Sequence, residues 1–345
     1  MAKKRPIALL SELASHKETF GGDMPLAPGH RMCIGCGIPP IVNEVLLAIN
    51  KPVVVAAATG CLEVTTGVYP ITAWNTPWIH VNFESTGAVI GAIDAAYQVL
   101  KKKGVLPEDE EVEFVAFAGD GGTYDIGFQS LSGAVERGHN FLYVCYNNEG
   151  YQNTGYQKSS ATPIGAYTKT TPVGKAKVGK QEPRKDLTMI MAAHGIPYVA
   201  QTSPHIFRDI TKKVKKAMTF KGPKFINVLE PCTLSWRFAP EDTMRLAKLA
   251  VETLYWPIYE VIDGKYWKVN VKPKRVKPIE EYIAAQPRWK HVLKYPEIVE
   301  RIQKEVDEKW KLLLHLEEMS KKLAEEEGVD YEELFKVPEE DNKKK

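Results

Sequence analysis

Residues 112–150 read VEFVAFAGDGGTYDIGFQSLSGAVERGHNFLYVCYNNEG. An apolar run, VEFVAFAG, precedes the amphipathic segment DIGFQSLSGAVERG and a second apolar run, NFLYVCYN, with only short glycine-bearing turns between them. Strand, helix and strand so closely connected form a βαβ unit, which demands a parallel pair and a sheet covered on both faces. Asp120 then stands at the carboxyl end of a buried strand, bracketed by Gly119, Gly121 and Gly122. Asn147 and Asn148 close the next strand at the same edge. In α/β sheets that edge is where ligands bind.

The rest of the chain agrees with this frame. PPIVNEVLLAIN (39–50) has helical spacing with prolines in its first turn. PVVVAAATG (52–60) reads as a buried strand, and STGAVIGAIDAAYQVLKKKG (85–104) as a helix between a serine cap and a glycine stop. LTMIMAAHG resumes helix after residue 187, followed by strand PYVAQT, helix SPHIFRDITKKVKKAMTF and strand PKFINVLEP. The expectation is an α/β fold, a mostly parallel sheet with helices on both faces. Residues 1–28 read as an N-terminal arm and 29–255 as the α/β domain. Residues 256–295 read as a hairpin, turning at Asp263-Gly264, with a linker. Residues 296–345 read as a charged helical extension and tail, either a solvated helix or a docking element. Residues 152–187 lack periodicity, and a loop that long is functional or disordered.

Composition narrows the class. The 345 residues are 44% hydrophobic and 26% charged, with 46 basic and 43 acidic side chains. A net charge of +3 gives no reason to expect a nucleic-acid partner, and KKVKK at 212–216 reads as a solvated helix face. No run is long enough to span a membrane, and MAKKRPIALLSEL lacks a signal-peptide core, so a cytoplasmic protein is expected. Five cysteines with a single CxxC then point to metal or redox chemistry rather than disulfides.

Two sets of side chains carry the chemistry. A carboxylate and an amide oxygen converging at one sheet edge suit octahedral Mg²⁺ gripping a diphosphate. The flanking glycines allow close backbone approach and unusual dihedrals, and a helix beginning near Asp125 would aim its positive end at the phosphates. Gly-Asp-Gly alone is equally a tight turn, but here 25 residues separate Gly121 from Asn147. With a βαβ unit between its ends, that pattern matches the thiamine-diphosphate (ThDP) signature. The second set is Cys33 and Cys36 in CIGC, Cys61 in ATGCLE and Cys232 in EPCTLSW. Four thiolates satisfy tetrahedral Zn²⁺ or a 4Fe-4S cluster. One CxxC followed by two distant single cysteines leans to iron–sulfur, and Cys145, inside an apolar strand, reads as core.

Taken together, GHRMCIGCG, ATGCLEV, YPITAWNTPWIHVNFES, GDGGTYDIGFQSLSGAVERGHN and NNEGYQNTGYQKSS resemble, in order, segments of the ThDP-binding β subunit of 2-oxoacid:ferredoxin oxidoreductases of the pyruvate/2-oxoisovalerate type. The resemblance spans residues 29 to 265. It implies that Asp120, Asn148 and the Gly150 carbonyl ligate Mg²⁺, its spacing favouring Asn148 over Asn147. It also implies that Cys33, Cys36, Cys61 and Cys232 hold one 4Fe-4S cluster. Asn153 would be the polar group at the reacting carbon or the 4′-amine, although QNTG is also turn chemistry. Thr59, Gly60, Glu63, Gly119, Gly121, Gly122 and Thr154 would line the cofactor.

The implied reaction is oxidative decarboxylation of a 2-oxoacid, with pyruvate foremost, to acyl-CoA and CO₂. Electrons would pass to ferredoxin, or to NAD through a flavin subunit. The implied partners are an α-type subunit supplying the pyrimidine-side glutamate, and a ferredoxin-like subunit with further iron–sulfur clusters. CTLSWRF and YNNEGYQNTGYQ depart from the usual Cys-Pro-Thr-Gly-Trp and Tyr-Asp-Asn-Glu-Ala-Tyr-Met-Asn-Thr-Gly of pyruvate enzymes, which leaves branched and aromatic 2-oxoacids open. Further alternatives are a ThDP decarboxylase or transketolase half without redox function, and a zinc-stabilised non-catalytic subunit.

Overall fold

The computed structural model describes residues 24–337, so most of the N-terminal arm (1–23) and the last residues of the tail (338–345) lie outside the described residues. Its frame is one eight-stranded sheet in the order β2-β1-β3-β4-β6-β5-β7-β8. The strands are β1 (Val53–Ala58), β2 (Trp78–Val81), β3 (Glu113–Gly119), β4 (Leu142–Asn147), β5 (Tyr198–Thr202), β6 (Lys224–Leu229), β7 (Tyr259–Ile262) and β8 (Tyr266–Val269). The first six are parallel, while β7 and β8 are antiparallel to their neighbours. β2 escaped the sequence reading. It is an edge strand with Ile79 and His80 exposed, and WIHV is too short to display a period.

Burial on both faces makes the central strands read as continuous apolar runs. Along β1, Val53, Val55 and Ala57 face one core with helices α1 (Ile38–Ala48) and α6 (Phe207–Ala217). Ala56 and Ala58 face the other, with α3 (Thr86–Lys102), α4 (Phe128–Glu136) and α5 (Leu187–Ala192). The fourth cysteine-bearing segment opens α7 (Thr233–Trp236), α2 is Cys61–Thr66, and α8 (Thr243–Glu252) and α9 (Ile279–Ala284) follow. A third core joins α8 and α9 to α10 (Pro296–Glu326) around Trp236, Trp256 and Trp289.

The C-terminal quarter is not a separate unit. The hairpin turns at Asp263 and Gly264, both at positive φ, and its first strand pairs with β5, extending the main sheet. The charged helix α10 then covers the sheet's last edge. Ser320 Oγ accepts from Trp267 N at 2.8 Å and Glu317 Oε1 accepts from Val269 N at 3.2 Å, using the outward N–H groups of β8 that an edge strand leaves unpaired. Tyr331, in α11 (Tyr331–Leu334), donates to the Trp267 carbonyl at 2.6 Å. No helix among the described residues is long and apolar enough to cross a membrane.

Candidate active site

The carboxyl ends of β1, β3, β4 and β6, four neighbours in the sheet, carry Thr59–Cys61, Gly119–Asp120, Asn147–Asn148 and Glu230–Cys232 respectively. A cleft half open to solvent lies there, with about 500 Å³ of empty space counted out into the solvent. Of the cofactor residues expected from sequence, Thr59, Gly60, Gly119, Gly121, Gly122, Asn148, Gly150, Asn153 and Thr154 line it, with Asp120 buried beneath. Glu63 does not line the cleft. It sits on α2 and pairs with His80 Nδ1 at 3.0 Å, because the helical turn that starts at Cys61 directs it to β2 rather than to the edge.

The glycines serve by absence of bulk. Gly119, Gly121 and Gly122 all have ordinary φ, so the expected unusual dihedrals are not there. A Cβ on Gly121 would lie 2.5 Å from the Tyr151 ring, and one on Gly122 3.0 Å from the Phe83 carbonyl oxygen. Gly60 is extended, and its Cβ would meet Tyr146 Oη at 2.9 Å. Gly121→Ala must therefore push Tyr151 away and strain its 2.9 Å bond to the Gly121 carbonyl. The expected cost is about 1–3 kcal/mol of stability, the usual range for overpacking, with weakened ThDP retention, read by chemical denaturation and cofactor titration.

The helical turn also begins earlier than Asp125. A π-helical turn, Gly121–Ile126, starts directly after Asp120, closed by Gly127 N donating to the Gly122 carbonyl at 2.7 Å, and α4 follows from Phe128. Asp125 is consumed by the long loop, since it accepts from the Ser160 hydroxyl and pairs with Lys185 at 3.8 Å.

Asp120 is fully buried. Its Oδ1 accepts from Asn148 N at 3.1 Å and its Oδ2 from Ser159 Oγ at 2.5 Å. Burial pushes its carboxyl up to about 7 against the pull of those two donors. Both ends of the Asn147 amide are occupied, with Nδ2 donating to Tyr124 Oη at 2.8 Å and Oδ1 accepting from Glu149 N at 3.0 Å. Asn148 differs: its side chain lines the cleft. Gln152 donates to the Asn148 carbonyl at 2.7 Å, but its Oε1 is buried with no hydrogen-bond partner. A buried carboxylate, an orphaned amide oxygen and a cradle that any Cβ would fill are the surroundings a metal-bound diphosphate requires.

Loop 152–187 is irregular but built into the site. Besides Ser159, Thr162 Oγ1 donates to the Glu149 carbonyl at 2.7 Å, and the Lys185 ammonium donates to the Tyr124 carbonyl. Glu149, at φ 61° and fully buried, is gripped by the C-terminal region. Tyr255 Oη donates to it at 2.7 Å, Arg288 Nη2 bonds it directly, and Arg184 Nη1 lies 3.6 Å away. The Arg288 guanidinium stacks 4.0 Å over Trp236, whose Nε1 donates to the Asn148 carbonyl at 3.0 Å. Sequence reasoning found none of Ser159, Glu149, Arg288 or Trp236 as supports, since their partners are 39, 139 and 88 positions apart.

Of the four expected cluster cysteines, Cys61 lines this cleft. Cys36, Cys61 and Cys232 act on one another electrostatically, and Cys61 also feels Cys33, which is exposed on the CIGC turn. Burial, then the Glu230 carboxyl, pushes the Cys61 thiol up to about 12, and raises Cys36 and Cys232 further. Asn153 and Cys61 both line the cleft. Among the described residues, no three His, Cys, Asp or Glu side chains are placed to hold one metal ion. Cys145 is fully buried in β4, as its apolar setting predicts. Glu230 was missed, although it stands at the end of an apolar strand just as Asp120 does.

The fold and cleft define a ThDP-binding enzyme: residues 58–228 match the model of the thiamine pyrophosphate enzyme C-terminal TPP-binding domain. The chain is 50% identical over 287 residues to pyruvate synthase subunit PorB of Methanocaldococcus jannaschii, covering 83% of this chain and 95% of that one. It is 48% identical over 305 residues to the PorB of Thermotoga maritima, covering 87% and 94%. Against the ketoisovalerate oxidoreductase subunit VorB of Pyrococcus abyssi the identity is 42% over 293 residues, covering 84% and 93%. The chain belongs to the family of β subunits of 2-oxoacid:ferredoxin oxidoreductases, which are ThDP-dependent enzymes. A solved 2-oxoglutarate:ferredoxin oxidoreductase from Magnetococcus marinus shares the fold, with a TM-score of 0.51 at 20% identity over 65% of this chain and 79% of that one.

Proposed function

We propose that this chain is the subunit holding ThDP, Mg²⁺ and one 4Fe-4S cluster in a multi-subunit enzyme that converts pyruvate and CoA to acetyl-CoA and CO₂. The two electrons released go one at a time to two ferredoxin molecules. The observation that carries the reading is the adjacency, at four neighbouring strand ends, of a glycine-lined cleft with buried Asp120 beneath it and of Cys61 and Cys232. When bound, ThDP supplies the electron sink for decarboxylation, and the cluster supplies a one-electron acceptor beside it.

The chain's own residues supply position. Asp120, Asn148 and the Gly150 carbonyl would hold Mg²⁺, and the two hydrogen bonds that the Asn147 amide already makes favour Asn148 over it. Gly60, Gly119, Gly121 and Gly122 would leave room for the diphosphate and thiazolium. Asn153 would stand between the reacting carbon and Cys61. Cys33, Cys36, Cys61 and Cys232 would give up their protons on binding the cluster, and burial leaves Cys36, Cys61 and Cys232 as thiols until a metal binds. An α-type subunit would contribute the pyrimidine-side glutamate, and a ferredoxin-like subunit the onward clusters. The relatives named pyruvate synthase support pyruvate, whereas the ketoisovalerate relative keeps a branched 2-oxoacid as the second reading.

The test is anaerobic purification with the native partners, assay of iron, sulfide and ThDP, and a panel of 2-oxoacids with CoA. About four iron and four sulfide per cluster site, with ferredoxin reduction fastest on pyruvate, is the expected result. Zinc in place of iron, or ThDP without acceptor reduction, would overturn it. Preference for 2-oxoisovalerate would move the substrate to the second reading.

A further inference from the structure

Tyr146 reaches the cleft with a hydroxyl that the fold does not use. Its ring leaves β4 on the face that packs with Val53, Val55 and Ala57 of β1 and Phe117 of β3. It runs against Gly119, where a Cβ would lie 3.2 Å from the ring, and its Oη ends against Gly60. The residue is 1% exposed and lines the cleft, yet Oη has no hydrogen-bond partner among the described residues.

The hydroxyls beside it are already engaged. Thr59 Oγ1 donates to the Val81 carbonyl at 3.2 Å, and Tyr151, the other tyrosine of the cleft, donates to the Gly121 carbonyl at 2.9 Å. Tyr259 and Tyr282 also carry buried hydroxyls without a partner, but neither lines the cleft. Tyr146 alone of these three presents its unused donor to a ligand site.

We propose that Tyr146 is a binding residue of the cleft, its hydroxyl donating a hydrogen bond to an anionic oxygen of the molecule that fills it. The proposal deepens the function given above and rests on it. A buried hydroxyl without an acceptor costs free energy that a ligand oxygen recovers on binding. A phenol suits the task, because a rigid ring aims one donor and a charged acceptor makes its bond about twice as strong as a neutral one would. Gly60 and Gly119 belong to the same arrangement: a side chain on Gly60 would strike Oη, and one on Gly119 would crowd the ring. Two components of the proposed reaction carry such an oxygen, the cofactor diphosphate and the 2-oxoacid.

The experiment compares the wild-type complex, assembled anaerobically with its native partners, with Tyr146→Phe, which keeps the ring and removes only the hydroxyl. Calorimetry follows three probes: pyrophosphate with Mg²⁺, ThDP with Mg²⁺, and methyl acetylphosphonate, a pyruvate analogue that cannot lose CO₂, added to the ThDP-loaded complex. With the diphosphate as acceptor, the variant binds pyrophosphate and ThDP at least about tenfold more weakly, the effect of losing a hydrogen bond to a charged group. With the 2-oxoacid as acceptor, those two are unchanged and the analogue weakens by that factor.

In both cases the cofactor-free variant complex should melt at or above the wild-type temperature, because an unpartnered hydroxyl has been removed. Unchanged affinity for all three probes would overturn the proposal. A cofactor-free variant that melts lower or does not assemble would also overturn it, since the hydroxyl would then serve the fold. A wild-type complex that binds no ThDP would instead overturn the reading of the cleft, a result that does not depend on the variant.

Discussion

Asp120→Asn should abolish Mg²⁺-dependent ThDP retention while leaving the cofactor-free chain as stable as the wild type or more so. The amide keeps the shape of the carboxyl. Its oxygen can still accept from Asn148 N and its nitrogen can donate to Ser159 Oγ, which also accepts from Ala161 N, so the Ser159 hydroxyl proton is the group that loses its acceptor. It also removes a carboxyl that burial disfavours as an anion. What it cannot do is neutralise a divalent cation in a site with no exposure to water. In the assembled complex at a hundredfold excess over the dissociation constant, ThDP and Mg²⁺ should stabilise the wild type by about 2.7 kcal/mol and the variant by close to zero. Thermal denaturation with and without cofactor, together with equilibrium dialysis, gives both numbers. Retention of ThDP at wild-type affinity would show that the metal is held elsewhere.

The second large effect is expected far from the chemistry in sequence. Arg288→Met removes the guanidinium bonded to Glu149, and both side chains are at most 1% exposed. A buried ion pair broken at one partner leaves an uncompensated charge, at a cost of about 3–5 kcal/mol, whereas replacing both partners is often neutral. Tyr255 still donates to Glu149, and Arg184 stands nearby, so the lower part of that range is expected. The double variant Glu149→Gln/Arg288→Met should recover at least half of the loss in denaturant unfolding. The same single variant should weaken ThDP binding, because Arg288 also supports Trp236, which donates to the Asn148 carbonyl. Full stability of Arg288→Met would mean that Tyr255 and Arg184 suffice to hold the metal loop.

Glu149 and Arg288 also mark the limit of what could be read from sequence. The βαβ unit, the strand ends and the pairing of Asp120 with the asparagines were legible because each depends on local period and on spacing within one supersecondary unit. The four cysteines could be singled out in the sequence, since thiol pairs without a secretory context are rarely idle. Loop 152–187 was not legible in the same way. It has no period, and its order comes from Ser159, Thr162 and Lys185 bonding to groups on other elements. Helix α10 carried a pattern compatible with solvent, and only β8 shows why Ser320 and Glu317 lie where they do.

The amino-acid sequence by itself determined the sheet's parallel character, the edge at which chemistry is assembled and the residue types brought there, because these follow from alternation, helical period and fixed offsets along the chain. The tertiary structure alone decided that both ends of the Asn147 amide are taken, why Gly121 must lack a side chain, and that Glu63 faces His80. It also placed the buried Glu230 carboxyl against Cys36 and Gly37 of the CIGC turn. Each of these depends on contacts between residues distant in the chain, whose geometry is set by strand order and packing and leaves no periodic trace in the sequence.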